Sequence, residues 1–201
     1  MTDPGRVEAA CLLCSLVPPA WFVRHVGAVA EVAGWLALRA AERGIAIDRP
    51  RVESAALLHD ADKLLPPGDP LRALPHGEGS AAWLTDKGHP ELSALVRDHP
   101  VTRLADAKVA AGILGAPLEV RLVAYADKRA GQRLEPMAAR FASWRRRYPP
   151  GSADAWDAET LGRIDDRAAA LERGICEELG ITPRDVRRLR WVARAIAAVS
   201  A

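Results

Sequence analysis

Apolar residues recur at a helical spacing along most of the chain, and this period restricts the fold more than any other feature. The stretch that begins at Phe22 illustrates it, with further apolar residues at Val26, Val29, Val32, Ala33 and Leu36. Such spacing places side chains on one face of a helix with 3.6 residues per turn. Polar and apolar residues nowhere alternate long enough to predict a strand. The sequence therefore predicts an all-α fold.

Glycines and prolines divide the pattern into separate helices. The predicted helices span residues 22–43, 48–65, 79–86, 90–98, 105–114, 118–132, 134–147, 155–179 and 183–199. Thr182 is the expected N-cap of the last one. The strongest break is Tyr-Pro-Pro-Gly-Ser at residues 148–152. It predicts a helical domain of residues 1–148 and a C-terminal helical extension of residues 149–201 that packs on this core.

Composition places the chain among ordinary globular proteins, since 49% of its 201 residues are hydrophobic and 27% are charged. No apolar run approaches the roughly 18 residues of a membrane span. The N-terminus lacks the basic and apolar regions of a signal peptide, and three cysteines fit a reducing compartment. We therefore expect a cytoplasmic protein without a membrane partner.

Two of the cysteines, Cys11 and Cys14, form an isolated CxxC pair. No second pair completes a zinc site, and no βαβ context suggests redox chemistry. We expect both to be small core-facing residues of a helix.

Four ligand-type side chains project from the apolar faces of four different predicted helices: His25, His59, His99 and Asp127. Burial without a partner costs a neutral polar group about 1–3 kcal/mol, and a charge more. One shared metal ion would remove that cost for all four. The alternative, that each is a hydrogen-bonded core residue or a helix cap, explains a single such residue more easily than four.

Three short motifs extend this pattern: Arg24-His25 near the start of a long helix, LLHDADK at residues 57–63 and YADK at residues 125–128. Their order resembles the H…HD…D signature of the HD superfamily of metal-dependent phosphohydrolases, over roughly residues 20–135. The resemblance implies an HD-domain helical bundle with a C-terminal appendage. It also implies one divalent metal held by His25, His59, Asp60 and Asp127.

Two further histidines, His76 and His99, stand where two-metal members of the superfamily add ligands. The resemblance implies a second ion on these two, with Asp60 as the bridging carboxylate. Imidazole and carboxylate ligands suit Fe, Mn, Zn, Co or Ni. In the alternative interpretation His76 is a loop residue that caps a helix. His89 lies on no apolar stripe, so we expect it on the surface.

The full order H…HD…H…H…D is similar to the branch of the superfamily that cleaves diadenosine tetraphosphate symmetrically, and Arg133 matches an arginine of that branch. The chain departs from the branch at Pro100, where the branch carries a threonine. It departs again at Ala130 and Gly131, where the branch carries an acidic residue and a proline. These differences concern the substrate and not the superfamily.

A phosphohydrolase of this kind needs an activated water and cations that neutralise phosphate charge. We expect catalytic roles for Asp60 and for Lys63, which lies one turn later and can reach a phosphate as a point charge. The predicted phosphate-binding residues are Arg24, Lys63, Lys128, Arg129 and Arg133. Asp62 either orients a metal ligand or is exposed. The expected substrate is a small phosphate compound, with a nucleotide favoured.

Two other functions compete with hydrolysis. A regulatory HD protein would bind a nucleotide without turning it over. A nucleic-acid module would use the arginines at 145–147 and 184–194, but twelve arginines oppose ten acidic residues from 135 to 201, which disfavours that partner. Trp144, Trp156 and Trp191 suit either a cover over the substrate pocket or a homodimer face, and both remain open.

Overall fold

A computed structural model of the chain describes residues 5–149, 151–152, 156–186 and 191–199. This part of the chain contains α1 (Arg6–Ser15), α2 (Ala20–Glu42), α3 (Arg49–Leu58), α4 (Glu78–Asp86), α5 (Pro90–Val96), α6 (Ala107–Leu114), α7 (Leu118–Arg129), α8 (Met137–Arg147), α9 (Ala158–Leu179) and α10 (Trp191–Val199). The same described ranges contain four 3₁₀ helices, which span Ala61–Leu64, Pro70–Ala73, Val101–Ala105 and Pro183–Asp185. The predicted all-α fold is confirmed. No single helix in the described ranges has the length and apolar character to cross a membrane, although α6 and α7, bent by 116°, pass the same criteria as a pair.

The long helix α2 forms the centre of the bundle, with α3 and α7 packed along it. Gly34 allows α3 to approach closely, because a Cβ at this position would lie 2.3 Å from a carboxylate oxygen of Glu53. Glu53 is fully buried and pairs with Arg49 at 2.8 Å and with Arg6 of α1. The close packing of these helices brings His25 on α2, next to the end of α3, together with Asp127 on α7.

Several predicted helices end earlier than the sequence indicated, and two of these ends lie at the candidate ligands or just after them. The predicted helix of residues 48–65 stops at Leu58, and residues 61–64 form a 3₁₀ helix. His59 closes α3 by directing its ring Nδ1 to the carbonyl of Ala56 at 2.7 Å. The predicted helix of residues 118–132 stops at Arg129, where Ala130 turns to extended backbone and forms an isolated β-bridge with Leu134.

Helix α1 carries the CxxC pair, and one expectation about this pair was wrong. Its buried side chains are Ala9, Ala10 and Leu13. Cys11 is exposed and Cys14 half-buried, so Cys11 does not face the core. The reason is the helical rotation of about 100° per residue, which turns Cys11 away from the face formed by Ala10 and Leu13.

The C-terminal helices pack on the rest of the bundle, α9 against α7 and α10 against α1. Tyr125 of α7 donates a hydrogen bond to Glu172 of α9 at 2.6 Å. Thr182 caps the short helix Pro183–Asp185 through reciprocal hydrogen bonds with Asp185. Residues 187–190, which hold three of the arginines in the predicted basic series, and the side chain of Trp191 lie outside the described part of the chain.

Candidate metal centre

Four of the predicted ligands meet between α2, α3 and α7. Nε2 of His25 lies 3.2 Å from Oδ2 of Asp60 and 3.6 Å from Oδ1 of Asp127. Nε2 of His59 lies 3.5 Å from Oδ1 of Asp60 and 3.7 Å from Oδ1 of Asp127. One ligand atom from each of His25, His59 and Asp60 falls within 4.8 Å of the others. This spacing allows the three groups to contact one ion.

The remaining two predicted ligands approach the same carboxylate from its other side. His76 comes from the loop before α4, and His99 follows α5. Their Nε2 atoms lie 3.1 Å and 3.3 Å from Oδ1 of Asp60. Asp60, His76 and His99 form a second group whose ligand atoms lie within 4.8 Å of one another. Asp60 thus belongs to both groups, as a bridging carboxylate would.

Backbone carbonyls fix the orientation of three imidazoles. A carbonyl oxygen only accepts hydrogen bonds, so the ring nitrogen that faces it must carry the proton. In each of these rings Nδ1 is the donor, which leaves Nε2 as the atom directed at the carboxylates. The donor–acceptor distances are 2.7 Å for His25 to Gly131, 2.7 Å for His59 to Ala56 and 2.6 Å for His99 to Val96.

The interior of this cluster leaves strong acceptors without donors. Nε2 of His59 and Oδ1 of Asp60 are buried and have no hydrogen-bond partner. Lone pairs of a neutral imidazole and of a carboxylate repel one another at these distances, and an unsatisfied buried group costs about 1–3 kcal/mol. A cation between them would turn the repulsion into coordination. The donor set of imidazole and carboxylate therefore fits a divalent transition metal.

Comparison with known families agrees with this geometry. Residues 22–131, more than half of the chain, match the HD domain. The chain belongs to the HD domain family. Neither the comparison with curated proteins nor the comparison with solved structures gave a match. The matched span of the HD domain contains all six predicted ligands, whereas α8, α9 and α10 follow it.

The two candidate acidic ligands, Asp60 and Asp127, stay ionised. Burial opposes the charge of Asp60, but the interactions with the surrounding histidines, His59 foremost, hold the pKa of this carboxyl well below its usual value. Burial likewise opposes the charge of Asp127, and the interaction with His59 lowers the pKa of this carboxyl. Both carboxylates are thus available to a cation at neutral pH.

The histidines differ in how readily they release a proton. Burial lowers the pKa of His99 to about 4, so its ring is neutral and able to coordinate. Burial also opposes the charged form of His76, but the neighbouring carboxylates of Asp60 and Asp62 outweigh burial and raise its pKa to about 9. Since a metal binds the unprotonated ring nitrogen, metal uptake at neutral pH must displace a proton from His76.

The sequence left open whether Asp62 is exposed or orients a ligand. Its side chain is buried and contacts His76. Its buried carboxylate accepts hydrogen bonds from Nδ1 of His76 at 2.8 Å, from Oγ of Ser80 at 2.9 Å and from the backbone of Gly77 at 3.3 Å. Gly77 has φ +89°, and a Cβ there would lie 2.4 Å from the carbonyl of Arg97. Glycine at this position therefore allows the loop to approach the backbone of Arg97 while its N–H contacts Asp62.

We expect Asp62→Asn to weaken metal binding at His76 by roughly 10–100-fold, as loss of a hydrogen-bonded carboxylate behind a metal ligand does. The amide has the size of the carboxylate but lacks its charge, so His76 becomes a poorer electron donor. Competition with a fluorescent chelator measures the affinity. Asp86→Asn, on the exposed end of α4, is the matched control. Wild-type affinity in Asp62→Asn would refute this role.

Three of the predicted phosphate-binding residues are accessible. Nζ of Lys63 lies 2.7 Å from Oδ2 of Asp60, with the side chain 46% exposed. Arg24 is exposed and donates to the side chain of Gln132 at 3.2 Å. Arg133 is 77% exposed and pairs with the neighbouring Glu135. Of these three, Lys63 is the one that contacts a candidate metal ligand.

The other two predicted phosphate-binding residues, Lys128 and Arg129, are buried and bonded within the protein, contrary to the expected position. Nζ of Lys128 donates to the carbonyls of His99 at 2.9 Å and Ala124 at 3.0 Å. The guanidinium of Arg129 donates to the hydroxyl of Tyr125 at 2.6 Å and also to the carboxylate of Glu172 on α9. Helical rotation turns both side chains into the interior, although Lys128 still lines a crevice together with Asp127.

Sequence reasoning misplaced one histidine and missed one arginine. His89 was predicted on the surface, but it is 6% exposed at the start of α5, so that prediction was wrong. Arg140 was not singled out, yet it lines a crevice together with Asp127. It lies in a helix with three more arginines, and spacing alone does not distinguish it from them.

Proposed function

We propose that this HD domain protein is a metal-dependent phosphohydrolase that cleaves a phosphate ester or anhydride, with a nucleotide as substrate. The observation that carries the proposal is the pair of ligand groups sharing the buried Asp60, one with His25 and His59 and one with His76 and His99. Two buried acceptors of the centre, Nε2 of His59 and Oδ1 of Asp60, lack donors, and a cation would satisfy both. A centre of imidazole and carboxylate ligands without a thiolate fits hydrolysis better than a structural metal site.

The candidate ligands would hold two metal ions. His25, His59, Asp60 and Asp127 would hold one divalent ion, and the two histidines of the second group would hold another against Asp60. Metal bound there supplies the positive charge that activates water and polarises phosphate at neutral pH. The carbonyl contacts of the imidazoles keep the ligands in place and limit rearrangement during turnover.

Lys63 complements the centre from the solvent side. Its ammonium group contacts Asp60. Solvent reaches this side of the centre, since side-chain exposure is 46% at Lys63, 34% at His76 and 16% at Asp127. Charge neutralisation and positioning are what phosphoryl transfer asks of a protein. We assign Lys63 to the phosphate oxygens and Asp60 to the metal.

The test combines metal content with a substrate panel. The purified chain is analysed for metal, stripped, reloaded with Mn or Fe, and assayed against nucleoside monophosphates, cyclic nucleotides, p-nitrophenyl phosphate and diadenosine tetraphosphate. The last compound is included because of the motif order, despite the departures at Pro100 and Ala130. We expect stoichiometric metal and metal-dependent release of phosphate or nucleotide.

Two results would contradict the proposal. A wild-type protein that contains no metal and takes none up would remove its basis. A metal-loaded protein that binds nucleotides but hydrolyses no compound in the panel would favour the regulatory alternative, in which the HD domain binds a nucleotide without turnover.

A further inference from the structure

The two ligand groups differ in the backbone that carries their histidines. In the first group His25 lies within α2 and His59 directly follows the last residue of α3, so packing of these helices fixes the backbone of both. In the second group His76 lies in the turn before α4, and His99 follows α5. A loop residue keeps its place only through contacts with neighbouring segments. The placement of His76 relative to His99 therefore depends on what joins their two loops.

Arg103 joins these two loops through its guanidinium. Nη2 lies 3.1 Å from Oε1 of Glu78 and 2.8 Å from Oδ1 of Asp98, and Nε donates to Oδ1 of Asp98 at 2.9 Å. Glu78 is the second residue after His76, whereas Asp98 immediately precedes His99. A planar guanidinium holds its donors in a fixed fork, so it constrains the two carboxylates relative to each other. One side chain thus ties together the segments that carry both histidines.

The backbone around Arg103 is itself anchored. Arg103 lies in the 3₁₀ helix Val101–Ala105, and two carbonyls of this helix accept hydrogen bonds from Arg167 of α9, at 2.6 Å and 2.8 Å. Before this helix, the carbonyl of His99 accepts a hydrogen bond from Lys128 of α7 at 2.9 Å. Arg103 therefore projects from a fixed backbone, and a change confined to its side chain acts on the link between the loops and not on the segment around it.

Direct binding of a phosphate is a weaker explanation for Arg103. Two carboxylates, both partly exposed, already neutralise its guanidinium. Arg103 has neither a hydrogen bond nor an ion pair to any of the six candidate metal ligands, all of which lie in the described ranges. Its contacts are instead with close sequence neighbours of two of these ligands, as expected of a residue that positions them.

We infer that Arg103 is a positioning residue for the second ligand group. It holds the loops of His76 and His99 in the arrangement in which both Nε2 atoms face Oδ1 of Asp60. Binding of the second ion then depends on Arg103, whereas binding of the first ion, on ligands held by helices, does not. The inference rests on the proposed function, because it takes two ions to share Asp60.

The sign of the effect separates positioning from simple electrostatics. Coulomb's law alone predicts that loss of a nearby positive charge tightens the binding of a metal cation. Positioning predicts the opposite, because without Arg103 the two loops are free to separate. We expect Arg103→Met to weaken binding of the second ion by roughly 3–10-fold, an effect that loss of two partly exposed ion pairs allows, and to leave the first ion unchanged. Arg103→Lys keeps the charge without the fork, so its affinity should lie between those of the wild type and Arg103→Met.

The test titrates the metal-stripped full-length chain with Mn²⁺ in a calorimeter, which gives the number of ions and the affinity of each. Electron paramagnetic resonance on the same samples distinguishes an isolated Mn²⁺ from two ions coupled through one carboxylate. At a Mn²⁺ concentration that just fills both sites of the wild type, Arg103→Met should show less of the coupled signal and more of the isolated one.

Glu78→Gln cuts the same link from the loop of His76. Since the link acts as a unit, the double variant Arg103→Met/Glu78→Gln should bind the second ion no more weakly than Arg103→Met alone. Arg39→Met is the matched control, because it removes another partly exposed ion pair, with Glu42 at the end of α2. It should leave both affinities unchanged.

The outcomes distinguish the inference from the proposed function. A wild type that binds two ions, with an Arg103→Met variant that binds the second ion as tightly or more tightly, would overturn the positioning role alone. A wild type that binds one ion would overturn the inference through loss of the second site and would leave the first site standing. A wild type that takes up no Mn²⁺ would overturn the proposed function as well.

Discussion

Asp60→Asn is expected to yield a folded protein that retains no bound metal and hydrolyses phosphate substrates no faster than buffer. Asp60 is the one residue common to both ligand groups, and its buried carboxylate lies within 3.1–3.5 Å of four histidine nitrogens. The amide keeps the volume of the side chain but removes the negative charge. A cation among neutral imidazoles would then lack its main counter-charge, so both ions should be lost together.

Elemental analysis and the substrate panel measure this outcome, and circular dichroism reports on the helices. His59→Ala is expected to behave similarly, since this buried ring belongs to the first group and adjoins the second. Asp106→Asn is the matched control, because Asp106 caps α6 at the surface and asparagine caps equally well. A variant of Asp60 that keeps two ions and full turnover would exclude the shared-carboxylate centre.

Local periodicity explains why much of the fold and part of the site could be predicted. His25, His59 and Asp127 occupy apolar faces, and a helical period is visible within each short stretch of sequence. The structure brings their side chains together in the interior. Helix ends were less predictable, because the end of α3 depends on the bond from the His59 ring to the backbone and on packing around it.

Contacts between distant segments explain what the sequence did not reveal. Asp62 and His76 are fourteen positions apart, and only the folded loop shows that one orients the other. Proximity in sequence was misleading for Lys128 and Arg129, since neighbours on a helix point in different directions. Arg140 comes from a helix beyond the HD domain span, so its position beside Asp127 depends on tertiary packing.

Removing the metal from the wild-type chain is expected to lower its melting temperature substantially. Metal binds the folded centre and not the dispersed ligands of the unfolded chain, so it stabilises the folded state by linkage. At a free metal concentration of about 100 times Kd the stabilisation is about 2.7 kcal/mol, or roughly 5–11 °C for a chain of this size. Differential scanning calorimetry with chelator and with added Mn or Zn measures the difference.

The pH dependence of this difference follows from the histidine that must lose a proton. In the metal-free fold the pKa of His76 is about 9, above the value of an ordinary histidine. Its protonated form stabilises the metal-free fold fully below the unfolded pKa, and that contribution is lost as the pH rises through about 9. The metal must displace this same proton, so its binding becomes tighter as the pH rises. The metal-induced rise in melting temperature should therefore grow from pH 6 to pH 8. Asp60→Asn should show no such rise at either pH, and a metal effect in that variant equal to the wild-type effect would place the ion elsewhere.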